Sequence, residues 1–179
     1  MMSPERYVAA LTFAEYLEEV EANRDLWQGL WQRAALPDDL RKRASEVEGR
    51  WHLAALTEDW CGDAVNSLVW VARLAEVAPG VELRVFSRDD NPDLMDAHLT
   101  GGVARSIPVV IAYGSDFRET GWWGPRPTEL QRWVKEEGLK LDVEERYARV
   151  RRWYARDRGR STVAEILDLL DSAVTAGHD

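Results

Sequence analysis

Cysteine is almost missing from this sequence: among 179 residues there is one, Cys61. An intramolecular disulfide is therefore excluded, and so is any metal site built from several thiolates. Long apolar runs are missing too. Nowhere do about 18 consecutive apolar residues occur, so no membrane-spanning helix and no membrane partner are expected. The first residues, MMSPERYVAALTF, carry Glu5 and Arg6 and lack the apolar run of a secretory leader. That lack and the single thiol together predict a reducing, cytoplasmic setting. Positive charge is in deficit, with 23 Lys and Arg against 32 Asp and Glu and a net charge of -9. Binding to phosphate backbones rests on an excess of Lys and Arg, so nucleic acid is not an expected partner. Phenylalanine is scarce at three residues, whereas tryptophan reaches nine and serves cores as well as binding surfaces. With 45% hydrophobic and 31% charged residues the composition is that of an ordinary globular domain.

Apolar spacing sets out the elements. Residues 12–34 read as one helix through Phe13, Tyr16, Leu17, Val20, Leu26, Trp27, Leu30 and Trp31, with a polar stretch at 21–25 and a Thr12/Glu15 capping box. Pro37 opens a second helix, with Asp38 and Asp39 in its first turn, and Gly49 ends it. The run at 51–56 (WHLAAL) reads as a buried strand, residues 64–77 as a helix stopped by Pro79-Gly80, and 81–86 as an alternating strand. A turn at 89–92 leads into a short helix reaching His98, and Gly101-Gly102 ends it. Residues 109–113 and 117–122 form a hairpin across Gly114-Ser115-Asp116, and a helix over 127–137 follows. This order predicts an α/β sheet, parallel first with an antiparallel edge, and helices on both faces. Two more helices make the tail, the second from a Thr162/Glu165 capping box. The first is arginine-rich: Arg146, Arg149, Arg151, Arg152, Arg156, Arg158 and Arg160 face only Glu144, Glu145 and Asp157. Against so acidic a chain these arginines are expected to neutralise the protein's own surface or a second subunit.

Cys61 is the one candidate nucleophile. It follows the 51–56 strand and precedes a helix, where unpaired N–H groups and the helix dipole favour thiolate. Glu58, Asp59 and Asp63 act against it, because neighbouring carboxylates disfavour a second negative charge. The sign of the net effect stays open, and so does a plain alternative in which Cys61 is a buried, inert, small apolar residue.

Four motifs in order carry a resemblance: Trp60-Cys61-Gly62-Asp63-Ala64, then Arg88 to Pro92 (RDDNP), Arg105-Ser106-Ile107-Pro108, and Gly124-Pro125-Arg126-Pro127. Over about residues 47–137 the chain resembles the thioredoxin-like proteins, and within them the subgroup carrying W-C-G-D-A or W-C-G-D-S. The resemblance implies a thioredoxin-like core at 47–140 with helical extensions at 1–46 and 141–179. It also implies a cis Ile107–Pro108 bond facing the thiol, with Trp60, Gly62, Asp63, Ile107, Pro108, Gly124 and Arg126 around Cys61 as the substrate-binding set. Arg126 is expected either to reach the substrate face or to bond Glu129 or solvent at the start of its helix.

The departures from the family pattern limit the chemistry. A dithiol cycle needs a second cysteine to resolve the mixed disulfide. Ala64 stands in that place, and the acidic residue that thioredoxins bury before the active cysteine would fall at Ala55. The leading reading is thus a monothiol that exchanges with a protein disulfide or a low-molecular-weight thiol and is released by an external thiol. A redox-inactive binding module is the alternative. An iron–sulfur role fits poorly, since monothiol glutaredoxins carry C-G-F-S, and so does a peroxidatic one, since Thr57 is four residues before Cys61 rather than three. No cofactor and no metal are expected: His52 reads as a satisfied core histidine, and His98 and His178 stand alone. Trp122-Trp123 suits either an exposed recognition pair or a sheet edge under helices. A homodimer, if formed, is expected to use the terminal helices.

Overall fold

In the computed structural model, described for residues 2–175 and 177, five strands form one sheet. They are β1 (Leu11–Thr12), β2 (Trp51–Thr57), β3 (Val81–Ser87), β4 (Val109–Tyr113) and β5 (Glu119–Trp123), in the spatial order β1-β3-β2-β4-β5. β2 and β3 are parallel, and the other three pairings are antiparallel. The helices are α1 (Pro4–Ala9), α2 (Phe13–Glu19), α3 (Arg24–Arg33), α4 (Asp38–Ser45), α5 (Gly62–Val77), α6 (Pro92–Ala97), α7 (Thr128–Glu136), α8 (Val143–Asp157) and α9 (Arg160–Thr175), with a 3-10 turn at Gly138–Lys140. The result is a mixed sheet flanked by helices, a thioredoxin-like α/β fold. Every residue of β4 is buried and all but His52 of β2. That is why these strands read as unbroken apolar runs: both of their faces are covered.

Two elements go beyond those expected from the sequence. α1 is capped by the Ser3 hydroxyl, begins on Pro4 and buries Tyr7, whose O–H donates to the carbonyls of Leu53 and Glu82 at 3.1 and 2.9 Å. β1 adds an antiparallel edge to β3 through Leu11 opposite Val85.

The single helix expected over 12–34 is two helices. The Thr12/Glu15 capping box is present and starts α2. The chain then breaks at Val20, and Asn23 takes the left-handed conformation at φ 55°. The cause is tertiary: one carboxylate oxygen of Asp59 accepts the N–H groups of Glu21 and Ala22 at 2.9 and 2.8 Å. α4 stops at Ser45, short of Gly49. α9 starts at Arg160, so the capping box expected at Thr162 does not form. Thr162 is fully buried inside the helix with its hydroxyl unpartnered, and the Asp157 carboxylate accepts the Ser161 N–H instead.

Trp123 is buried in β5, and its indole N–H donates to Glu165 at 2.7 Å, so this pair is a sheet edge packed under α9. Gly159, at φ 74°, is where the tail meets α5. A Cβ there would lie 2.0 Å from the Trp70 ring, so no larger residue allows this approach. No helix among the described residues is long and apolar enough to cross a membrane.

Candidate thiol site

Cys61 is the N-cap residue of α5, one turn beyond the end of β2. It is 8% exposed, and its S–H donates to the Ile107 carbonyl at 3.4 Å. The Ile107–Pro108 peptide is cis, and so is Gly124–Pro125. The two loops touch. At Gly124, φ 136°, a Cβ would sit 2.2 Å from the Pro108 carbonyl oxygen, so glycine is what permits the contact.

Burial pushes the Cys61 thiol up from its ordinary value, and the charge of Asp63 adds to the rise. The backbone N–H groups of Ala64 and Asp63 and the Arg126 guanidinium act in the opposite direction without reversing it. The helix start thus loses to desolvation, and the thiol is the resting form at neutral pH.

The acidic neighbours of Cys61 have separate tasks. Glu58 accepts from the Ser87 hydroxyl and the Asp89 N–H, both at 3.0 Å. Asp59 joins the N-terminal segment to the site: besides its carboxylate contacts, its carbonyl accepts the Trp27 indole N–H at 2.9 Å. Asp63 is held from two sides, by Arg126 at 2.5 Å and by the Tyr154 O–H at 2.9 Å. Arg126 also donates to Gln131 at 3.0 Å. Arg126 lines the cleft beside Cys61, but its charge is engaged by Asp63, and its second partner is Gln131 rather than Glu129.

Cys61 lies in a cleft of about 520 Å³. Trp60, Gly62, Asp63, Ile107 and Arg126 line it as well, whereas Pro108 and Gly124 adjoin it through Ile107 and Pro125-Arg126. Trp60 is 53% exposed, with the Arg88 guanidinium 5.2 Å from its ring centre. Ala64 is fully buried, so no reactive group occupies the second position of the motif. Two parts of the lining lie outside the 47–140 core expected from sequence, and one of them is Asn23 and Leu26 at the start of α3. α8 contributes Tyr147, Val150, Arg151 and Tyr154, spaced as one helical stripe. The spacing of these residues is the sequence signal for this wall, and the arginines among them mask its apolar character.

A family model described as Thioredoxin matches residues 10–140. The chain belongs to the thioredoxin family. A protein of unknown function from Pseudomonas aeruginosa shares the fold with this thioredoxin-family chain at TM-score 0.75 and 19% identity, over 97% of this chain and 99% of that one. An HIV epitope-scaffold does so at TM-score 0.73 and 17% identity, over 96% and 99%. Both likenesses are of fold. A search of curated proteins finds no match.

The histidines lie elsewhere. His52 stacks on Phe117 at 4.2 Å, and its Nδ1 has no hydrogen-bond partner, so it is not the satisfied core histidine expected. His98 does not stand alone: it is buried between the Leu94 carbonyl at 2.6 Å and Glu119 at 3.0 Å. His178 lies outside the described residues. Among the described residues no group of three His, Cys, Asp or Glu is placed to hold a metal ion.

Proposed function

We propose that this thioredoxin-family protein is a monothiol of the W-C-G-D-A/S type, exchanging disulfides through Cys61 with an external thiol as the resolving partner. The observation that carries the reading is the placement of the lone thiol at the start of α5, beside the Ile107 carbonyl in an open cleft, with buried Ala64 where a resolving cysteine would stand. The Cys61 thiolate attacks one sulfur of a disulfide R–S–S–R. A Cys61–S–S–R bond forms, the original S–S bond breaks, and R–S⁻ leaves and takes up a proton. A second thiolate then attacks the R sulfur of the mixed disulfide and releases Cys61. The second step is slow by nature, because a thiol with a raised pKa is a poor leaving group. The reaction belongs in a reducing compartment that supplies free thiols, such as the cytoplasm.

The test is intact-mass analysis after incubation with a small symmetric disulfide, followed by addition of a free thiol. One adduct should appear on the native protein and none on Cys61→Ser, and the free thiol should remove it. With a thioredoxin reductase as sole electron source, no multiple turnover is expected. Failure to form an adduct at any pH up to about 10, where even an ordinary thiol is mostly ionised, would leave a redox-inactive binding module.

A further inference from the structure

The sign of charge reverses around Cys61. The chain carries a net charge of -9, yet the charged residues lining the cleft are Arg88, Arg105, Arg126 and Arg151 against Asp63 alone. Asp63 and Arg126 form an ion pair with one another. Arg88 and Arg105 are held by Asp89 at 2.8 Å and Asp96 at 2.6 Å, and neither of those carboxylates lines the cleft. Arg151 has no carboxylate within 4 Å among the described residues. A cleft whose lining carries an excess of one sign of charge between low-dielectric walls concentrates ligands of the opposite sign.

The apolar lining points to a ligand as well. Leu26, Trp60 and Tyr147, each about half exposed at 45, 53 and 50%, all face this one cleft. Large exposed apolar groups gathered at one concave place mark a binding surface. The cavity of about 520 Å³ is of the size that holds small molecules. Its boundary on one part is α8, which comes from outside the segment matched by the thioredoxin model.

From these observations we infer that the cleft selects anionic, low-molecular-weight disulfides, with Arg105 and Arg151 attracting the carboxylates and Trp60 and Tyr147 covering the carbon chain. The inference rests on the thiol-exchange reading and adds the substrate class. The bonds made and broken are those of that exchange, with R now bearing a carboxylate. Arg151 and Tyr147 are specificity residues supplied by α8.

Three disulfides of matched length test it: 3,3'-dithiodipropionate with two negative charges, 2-hydroxyethyl disulfide with none, and cystamine with two positive charges. The rate of adduct formation at Cys61 is read by intact mass and divided by each compound's rate with a free small thiol. The order should be anionic, then neutral, then cationic, with about tenfold between the first two at low salt. The preference should shrink above about 0.1 M salt, where the screening length falls to about 10 Å. In Arg105→Gln/Arg151→Gln the ratio of anionic to neutral rates should fall toward one. A flat or reversed order with adducts present overturns the charge selection and leaves thiol exchange standing. An unchanged ratio in the double variant overturns the role of these two arginines. No adduct with any of the three overturns both the inference and the exchange reading beneath it.

Discussion

Trp27 and Tyr154 both reach the loop that carries Cys61, one from each side of the central sheet in sequence, and they hold it differently. Trp27 is fully buried in the main core against Phe13 and Tyr16, and its indole N–H donates to the Asp59 carbonyl. Tyr154 belongs to a small separate cluster with Leu130, Val134 and Val150, and its O–H donates to the Asp63 carboxylate. The N-terminal segment is therefore attached to the site by bulk apolar burial. Helix α8 is attached by a thinner apolar contact and a hydrogen bond from the Tyr154 O–H to the Asp63 carboxylate. Burial scales with the area removed from water, whereas a hydrogen bond only exchanges one partner for another. The first attachment carries stability and the second shapes the cleft.

Trp27→Ala should produce the largest effect, a loss of about 3–5 kcal/mol in urea unfolding, as for other large-to-small changes in a packed core. A loss below about 1 kcal/mol would break the comparison. Tyr154→Phe keeps the ring and deletes the O–H donor to Asp63, so the cost should be about 1–2 kcal/mol. It should also move the pH midpoint of Cys61 alkylation further up, since Asp63 would lose a donor that offsets its charge; a purely structural role for Tyr154 would leave that midpoint alone.

Smaller again is the lock between Arg6 and Asp93, two hydrogen bonds of 2.7 and 2.8 Å. The Arg6 guanidinium holds the Asp93 carboxyl down at about 2. Its contribution is complete above the ordinary Asp range near 3.9 and is lost as pH falls through about 2. Half-exposed pairs of this kind are screened, so Arg6→Ala should cost about 1 kcal/mol or less at neutral pH, and the cost should shrink as pH falls from about 4 toward 2. The smallest effect concerns Cys61 itself. Its folded-state pKa is raised, mainly by burial, so the neutral thiol favours the fold. That contribution is present below the unfolded value near 8.5 and lost as pH rises through the folded value. Unfolding curves of Cys61→Ala should lack this alkaline decline, and native Cys61 should alkylate with a midpoint above about 8.5.

Local signals were legible where local groups decide the outcome. The apolar run at 109–113 reads as a strand and is one, and the Thr12/Glu15 pair forms its capping box because both partners lie within one turn. The similar pattern at Thr162 and Glu165 failed because Asp157, from the helix before, took the N–H group and the core took the threonine. The break between α2 and α3 follows the same logic. Residues 21–25 were visibly polar, but the groups that bend the chain there belong to Asp59, brought near only by the fold.

The site divides in the same way. A single thiol at the end of a strand and the start of a helix, followed by Ala64, can be read from residue order alone, and with it the exclusion of a dithiol cycle. The direction of the Cys61 shift cannot, because desolvation depends on everything packed over the sulfur. The partner of Arg126 cannot either, since Asp63 lies more than sixty positions away in the chain. Least legible of all was the charge around the thiol. Composition reports a sum over the whole chain, here negative, whereas a cleft feels only the groups that folding places on its walls, and here those are arginines drawn from four separate segments.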